Sequence, residues 1–210
     1  MKQIIILYSL MLLSIPVFPQ VNIGLSVKPG ILANRVSSDI ESVSVGKDGS
    51  RPKMWFGIYV EKELKKHYYF LSGLHWAPKR FGMRINDGSG QRTLNVKLQY
   101  VQIPLMLKLL TDEIALDKKI YFQLGPALEI KFHDSTDGNF EDFYIKKINF
   151  LDVSLHFETG MEFRVGYNTI LAGGIAYYRG LINVVIPESS YQGDLRVKND
   201  FYALNFSIKF

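Results

Sequence analysis

From Tyr202 to Phe210 the chain alternates without a break: Tyr202, Leu204, Phe206, Ile208 and Phe210 share one side, and Ala203, Asn205, Ser207 and Lys209 share the other. Successive side chains of a β-strand point to opposite faces, so the segment offers one apolar face and one small or polar face. The same period of two recurs upstream. Val101, Ile103, Leu105, Leu107 and Leu109 stand against Tyr100, Gln102, Pro104, Met106 and Lys108. Ile120, Phe122, Leu124, Pro126, Leu128 and Ile130 stand against Tyr121, Gln123, Gly125, Ala127, Glu129 and Lys131. Leu151, Val153, Leu155, Phe157, Met161 and Phe163 stand against Asp152, Ser154, His156, Glu158, Gly160 and Glu162. The pattern predicts eight strands, near 22–33, 53–62, 66–78, 93–109, 119–132, 149–164, 167–181 and 197–210. Most are longer than the five or six residues common in soluble sheets, and long enough to cross a bilayer.

An alternating strand also suits a soluble sandwich or a lipocalin-like barrel, with the apolar face turned to the core. The links between strands discriminate. They run long (34–52), short (63–65), long (79–92), intermediate (110–118), long (133–148), short (165–166) and long (182–196). An outer-membrane barrel has short periplasmic turns and longer extracellular loops, whereas a soluble barrel has no reason to sort its loops by end. The long links carry turn-forming clusters such as Gly46-Lys-Asp-Gly-Ser50, Asn86-Asp-Gly-Ser-Gly90 and Asp134-Ser-Thr-Asp-Gly-Asn139. At the N-terminus, Lys2 precedes an apolar run from Ile4 to Ile15 and then Pro16-Val-Phe-Pro-Gln20, the outline of a secretory signal peptide. That run falls short of the roughly 20 apolar residues of a membrane-spanning helix. The expected organisation is a signal peptide over 1–20 and one β-barrel domain over 21–210. The expected fold is all-β: an eight-stranded antiparallel up-and-down transmembrane barrel with long extracellular loops and short periplasmic turns.

Composition narrows the chemistry. The chain has no cysteine, which removes lipidation at Cys, disulfides and Cys-based metal or nucleophile sites. The formal charge of +5 is spread along the sequence and gives no clustered nucleic-acid footprint. In lipid every strand edge must be paired, so the first strand must meet the eighth. Eight strands enclose an interior that side chains can fill. The predicted inward set, Gln102, Lys108, Glu129, Lys131, Asp152, His156, Glu158, Glu162, Asn205 and Lys209, mixes both signs and suits a plugged or narrow lumen. Trp55, Tyr68, Tyr69, Trp76, Tyr100, Tyr121, Tyr167, Tyr177, Tyr178 and Tyr202 are candidates for aromatic girdles at the membrane interfaces, with core or lumen packing as the alternative.

Four segments carry a resemblance. Tyr100-Val-Gln-Ile-Pro-Leu-Met-Leu-Lys108, Gly160-Met-Glu-Phe163, Tyr178-Arg-Gly-Leu-Ile-Asn183 and Lys198-Asn-Asp-Phe-Tyr-Ala-Leu-Asn-Phe-Ser-Ile-Lys-Phe210 are similar, in order, to segments of the PorT-like outer-membrane β-barrel proteins of Bacteroidota. The resemblance implies a small barrel inserted by the outer-membrane assembly machinery, with Phe210 ending the recognition signal. It implies no reaction.

The histidines are His67, His75, His133 and His156. Ser154, His156 and Glu158 share one strand face, but at about 7 Å per repeat they are expected to be too far apart for a relay without cross-strand partners. Glu158 and Glu162, about 13 Å apart, exceed a glycosidase pair. His133, Asp134, Asp137, Glu141 and Asp142 form an acidic loop in which a hard cation is conceivable, though Lys146 and Lys147 offset it and the spacing is not that of an EF-hand. The expectation is therefore no catalytic, cofactor or metal site. The protein is expected to be a non-enzymatic outer-membrane barrel, structural or partner-binding through its extracellular loops. The alternatives are an accessory subunit of a secretion or uptake complex and a rim-site lipid A enzyme. Its expected partners are outer-membrane lipid, the assembly machinery and a protein of an envelope complex, with no nucleic acid.

Overall fold

The computed structural model describes residues 21–38, 44–47, 49–86, 90–138, 145–187 and 195–210. The expected signal segment, residues 87–89 of the Gly-rich link, and Glu141 and Asp142 lie outside them. The strands are β1 (Val21–Ser38), β2 (Ser44–Lys47), β3 (Arg51–Lys65), β4 (Tyr68–Asn86), β5 (Gln91–Leu110), β6 (Lys118–Thr136), β7 (Ile145–Ile148), β8 (Leu151–Arg164), β9 (Ile170–Gly180), β10 (Val185–Pro187) and β11 (Leu195–Lys209).

Eight of these close on themselves. The ladder runs β1-β3-β4-β5-β6-β8-β9-β11, antiparallel throughout, and β11 returns to β1. At that seam Gly24 faces Lys209 and Ser38 faces Leu195. Phe210 N donates to Ile23 O at 2.9 Å and Ile23 N to Phe210 O at 3.3 Å, so the last residue is stitched into the wall. Both ends of the described chain lie at the end expected to be periplasmic. There the turns are tight: β3 passes to β4 through Lys66 and His67, the latter at φ 73°. His67 O accepts from Leu110 N at 2.8 Å, and its Nδ1 bonds Leu110 O at 2.9 Å, tying this turn to the end of β5.

Period-two patterning sets the two surfaces of the wall. Ile23, Leu25, Val27 and Ile31 of β1, Phe56, Ile58 and Val60 of β3, Leu105, Leu107 and Leu109 of β5, and Leu204 and Phe206 of β11 all face outward and are exposed. Similar rows on the remaining strands complete an apolar belt around the barrel. In water so large a patch would drive association; against acyl chains it is what the environment demands.

The walls are of unequal height. The β3–β4 ladder stops at Phe56↔Trp76, whereas β4–β5 continues to Asn86↔Gln91. The expected loop over 79–92 is therefore mostly strand. Phe81, Met83, Leu94, Val96 and Leu98 are buried in alternation with outward polar residues, and that periodicity outweighs the local Gly, Ser and Asp content. β1 likewise runs on to Ser38, into the segment expected to be a loop. Where β4 loses β3 as a neighbour, side chains take over. Trp55 Nε1 donates to Pro78 O at 3.2 Å. Asn34, in the amide orientation that satisfies both its ends, donates to Arg80 O at 3.1 Å and accepts from Gly82 N at 3.2 Å. Pro78 has no N–H to leave unpaired at this edge. β2 pairs with the tip of β4, and β7 with β10 forms a small second sheet at the extracellular end.

Candidate functional site

In the interior, polar groups from facing strands converge in three ionic clusters. Nearest the periplasm, Lys108 of β5 and Lys209 of β11 meet Glu61 of β3 and Glu162 of β8. Lys209 Nζ lies 2.5 Å from Glu61 Oε1 and 2.9 Å from Glu162 Oε1, and Lys108 Nζ lies 2.5 Å from Glu61 Oε2 and also contacts Glu162. The quartet is charge-balanced.

Higher in the lumen, Glu158 is the hub. Lys28 Nζ approaches its Oε2 at 3.2 Å and His156 Nε2 at 3.1 Å, while Tyr121 OH donates to Oε1 at 2.8 Å and Asn205 Nδ2 at 2.7 Å. Lys28 also donates to Tyr178 OH at 2.6 Å. In the third cluster Lys79 sits between Glu129 and Asp152, the latter at 3.0 Å, and Gln102 Nε2 and Ser154 Oγ donate to Glu129 Oε1 at 2.8 and 3.0 Å. All these groups are buried, and buried charges persist only when paired and hydrogen-bonded. Between the first two clusters remains a void of about 20 Å³, room for about one water.

Toward the extracellular end the filling changes. Leu32, Trp55, Phe81, Met83, Leu94, Val96, Leu98, Val197 and Phe201 form an apolar cluster, capped by Ile145 and Ile148 of β7 and by Val184 and Val185 at β10. Trp55 stacks on Phe201 with ring centroids 4.1 Å apart and meets Tyr178 edge-on at 4.8 Å. Tyr178 in turn stacks on His156 at 4.0 Å and so joins the Glu158 cluster to the aromatic packing, while Lys79 of the third cluster reaches in among the same rings, 5.9 Å from that of Trp55 and 5.2 Å from that of Tyr100. Four of the proposed girdle aromatics are thereby corrected: Trp55, Tyr100, Tyr121 and Tyr178 are buried inside, because their parity is that of the lumen rows. Tyr69 is half-buried at the periplasmic mouth. Tyr68, Trp76, Tyr177 and Tyr202 do lie on the outer wall; Phe56 packs on Trp76 at 4.9 Å, and Tyr177 stacks on Tyr202 at 4.8 Å.

Of the proposed inward residues, Gln102, Lys108, Glu129, Asp152, His156, Glu158, Glu162, Asn205 and Lys209 are buried in the lumen. Lys131 lies at its upper edge, bonded to Ile148 O and paired with Asp134 at 2.7 Å. Sequence reasoning missed Lys28, Glu61, His75 and Lys79. The first two sit on the opposite parity to Ile23, Leu25 and Val27, and to Ile58 and Val60, which was the available signal.

The trio Ser154, His156 and Glu158 is only partly assembled. His156 and Glu158 do touch, against the expected separation, because the side chains bridge what the backbone spacing keeps apart. Ser154 instead bonds Glu129. Ser26 Oγ and His75 Nε2 lie 2.9 Å apart, an unanticipated Ser–His pair, but His75 Nδ1 has no acid partner to orient the ring as a triad requires. Glu158 and Glu162 belong to different clusters. In the acidic segment His133 and Asp134 are exposed, and among the described residues no three metal-capable side chains come together.

A cavity of about 550 Å³ opens at the periplasmic mouth, below the quartet. Glu63, Glu113, Asp117 and Glu162 line it together with Lys119, Arg164 and Lys209, and Tyr69 and Tyr167 form part of its rim.

Comparison with known proteins agrees with the architecture. The outer membrane protein OprG of Pseudomonas aeruginosa is similar over 89% of this chain and 95% of its own, with 12% identity and a TM-score of 0.57. Neisserial surface protein A (NspA) is similar over 90% of this chain and 97% of its own, with 12% identity and a TM-score of 0.49. At such identities the likeness concerns the fold alone. No curated protein matches the chain. Residues 13–185 match the model of the outer membrane protein beta-barrel domain. With that match over most of its length, a closed eight-stranded wall and an apolar belt, the chain belongs to the outer membrane protein beta-barrel domain family and resides in the outer membrane.

Proposed function

We propose that this is a non-enzymatic barrel that acts through what it displays outside the membrane, with its extracellular strands and loops contacting a partner. The observation that carries the reading is the filling of the interior. Paired charges fill the lower lumen, and an apolar cluster with the Lys79, Glu129 and Asp152 group fills the upper, which leaves no continuous aqueous path for a solute among the described residues. The working surface is then the exterior, where the β4–β5 hairpin and the β1–β11 ladder rise highest and β2, β7 and β10 decorate the rim. Residues 1–20 act as the export signal in this reading, and the β11 strand ending at Phe210 as the signal to the barrel assembly machinery. The test has two parts. Purified barrel in a planar bilayer gives no unitary conductance steps, and detergent extracts of cross-linked cells yield a partner that is lost when 139–144 and 188–194 are replaced by short Gly-Ser turns. Stable conductance steps would refute the sealed lumen; retention of the partner after loop replacement would refute the extracellular assignment.

A second reading, a PorT-like accessory subunit of an envelope complex, draws on the periplasmic cavity. Its charged lining and its opening toward the periplasm suit a polar segment of a periplasmic protein. Photo-cross-linking from positions 113 and 117 distinguishes the two: adducts there, with none from the extracellular loops, favour the accessory role.

A further inference from the structure

At the extracellular rim of the apolar belt the outward rows turn from hydrophobic to cationic. On β4 the row runs Leu74, Trp76, Pro78 and then Arg80; on β5 it runs Ile103, Val101, Gln99 and then Lys97. Arg80 and Lys97 are directly opposed in the ladder, and like charges so placed repel. Lys53 of β3, half-buried on the parity of Trp55, lies near enough to Arg80 and Lys97 that burial and then these charges hold its ammonium below the ordinary lysine range. The β3–β4 ladder has already ended below this level, so Lys53 and Arg80 flank a gap in the wall. Arg80 Nη2 donates to Asn95 Oδ1 at 2.7 Å, but among the described residues no ion pair joins Lys53, Arg80 or Lys97 to a carboxylate.

The opposite wall shows what compensation looks like. There Arg35 also faces a cation, Lys198, but Asp200 grips the guanidinium through two bonds of 2.8 Å. Among the described residues one wall carries its own anion and the other does not. At that height an outer membrane supplies phosphate, on the glycolipid headgroups of its outer leaflet. A guanidinium and an ammonium opposed on the outer face of one ladder match a phosphate's several acceptor oxygens. We propose that Arg80 and Lys97 form a binding site for a phosphate group of an outer-leaflet glycolipid, the phosphate bridging the two opposed cations.

This site is independent of the partner-binding reading, because it lies on strands that loop replacement leaves intact. The full barrel in detergent micelles is titrated with lipid A, with enzymatically dephosphorylated lipid A and with inorganic phosphate, and bound lipid is counted by native mass spectrometry. Lipid A should bind about tenfold more tightly than its dephosphorylated form. That preference should disappear in the Arg80→Gln, Lys97→Gln double variant. It should survive in Lys62→Gln, Lys65→Gln, which removes the same charge near the periplasmic end of β3. Heat-modifiable migration verifies that each variant is a closed barrel. Equal affinity for the two lipids, or a preference that persists without Arg80 and Lys97, overturns the site. Inorganic phosphate displacing lipid A at equimolar concentration overturns the assignment to lipid.

Discussion

Toward the periplasm the lumen sets Lys28, Lys108 and Lys209 against Glu61, Glu158 and Glu162, whereas toward the extracellular end Trp55, Phe81, Leu94, Val96 and Phe201 pack as hydrocarbon. Both fillings use the same strands and the same parity, so period two decides only which residues point inward. What differs is how each filling fails. A buried ionic cluster is all or nothing, because removing one member strands the others in a medium that cannot solvate them. An apolar cluster fails by degrees, in proportion to the volume removed.

The largest effect is expected at Lys79, the cation between Glu129 and Asp152. Lys79→Met should cost about 3 to 5 kcal/mol in urea unfolding of the micelle-bound barrel. Adding Glu129→Gln and Asp152→Asn should recover most of it, and a cost that stays additive would show that the cluster is not coupled. Phe81→Ala, in the apolar half, should cost about 3 kcal/mol, with Phe81→Leu well under half of that. If both give the same loss, the graded behaviour assigned to this half is wrong. Asn205→Ala takes one donor from Glu158 but leaves Lys28, His156 and Tyr121 in place, so about 2 kcal/mol is expected, read from the same urea midpoint. The smallest effect belongs outside the lumen. Arg35→Ala opens a partly exposed pair with Asp200 and should shift stability by less than about 1 kcal/mol, an effect that shrinks further in high salt. A shift there as large as at Lys79 would erase the distinction between interior and rim.

The polar rows of the lumen were largely legible in the sequence. Gln102, Lys108, Glu129, Asp152, Glu158, Glu162, Asn205 and Lys209 each interrupt an otherwise apolar strand at every second position, and a row with that period can only face inward if its alternate faces lipid. The apolar cluster was not. Phe81, Met83, Leu94 and Val96 lie beside Asn86-Asp-Gly-Ser-Gly90, and turn chemistry there masked an alternation that continues to within a few residues of the hairpin tip. The four interior aromatics were misplaced for a related reason. Tyr and Trp suit both an interface and a lumen with one polar contact, so residue type did not choose, whereas the parity within each strand did, and Lys28 and Glu158 meet Tyr178 and Tyr121 on that inner face. Nor could spacing along one strand reveal that Glu158 gathers groups from β1, β6, β8 and β11, since that hub exists only once the wall is closed.

The seam between β1 and β11 sets the order of events. Gly24 and Lys209 are nearly as far apart in sequence as two described residues can be, yet they face each other, and Lys209 also supplies a cation to the periplasmic quartet. Every other ladder of the eight-stranded wall can form between successive wall strands as the chain emerges; this one must wait for the whole chain. The same late residue both zips the wall and neutralises Glu61 and Glu162, so closure and charge balance arrive in a single step. A barrel left unzipped is therefore also one with two carboxylates short of a cation, and that shortfall marks an unfinished molecule apart from a finished one.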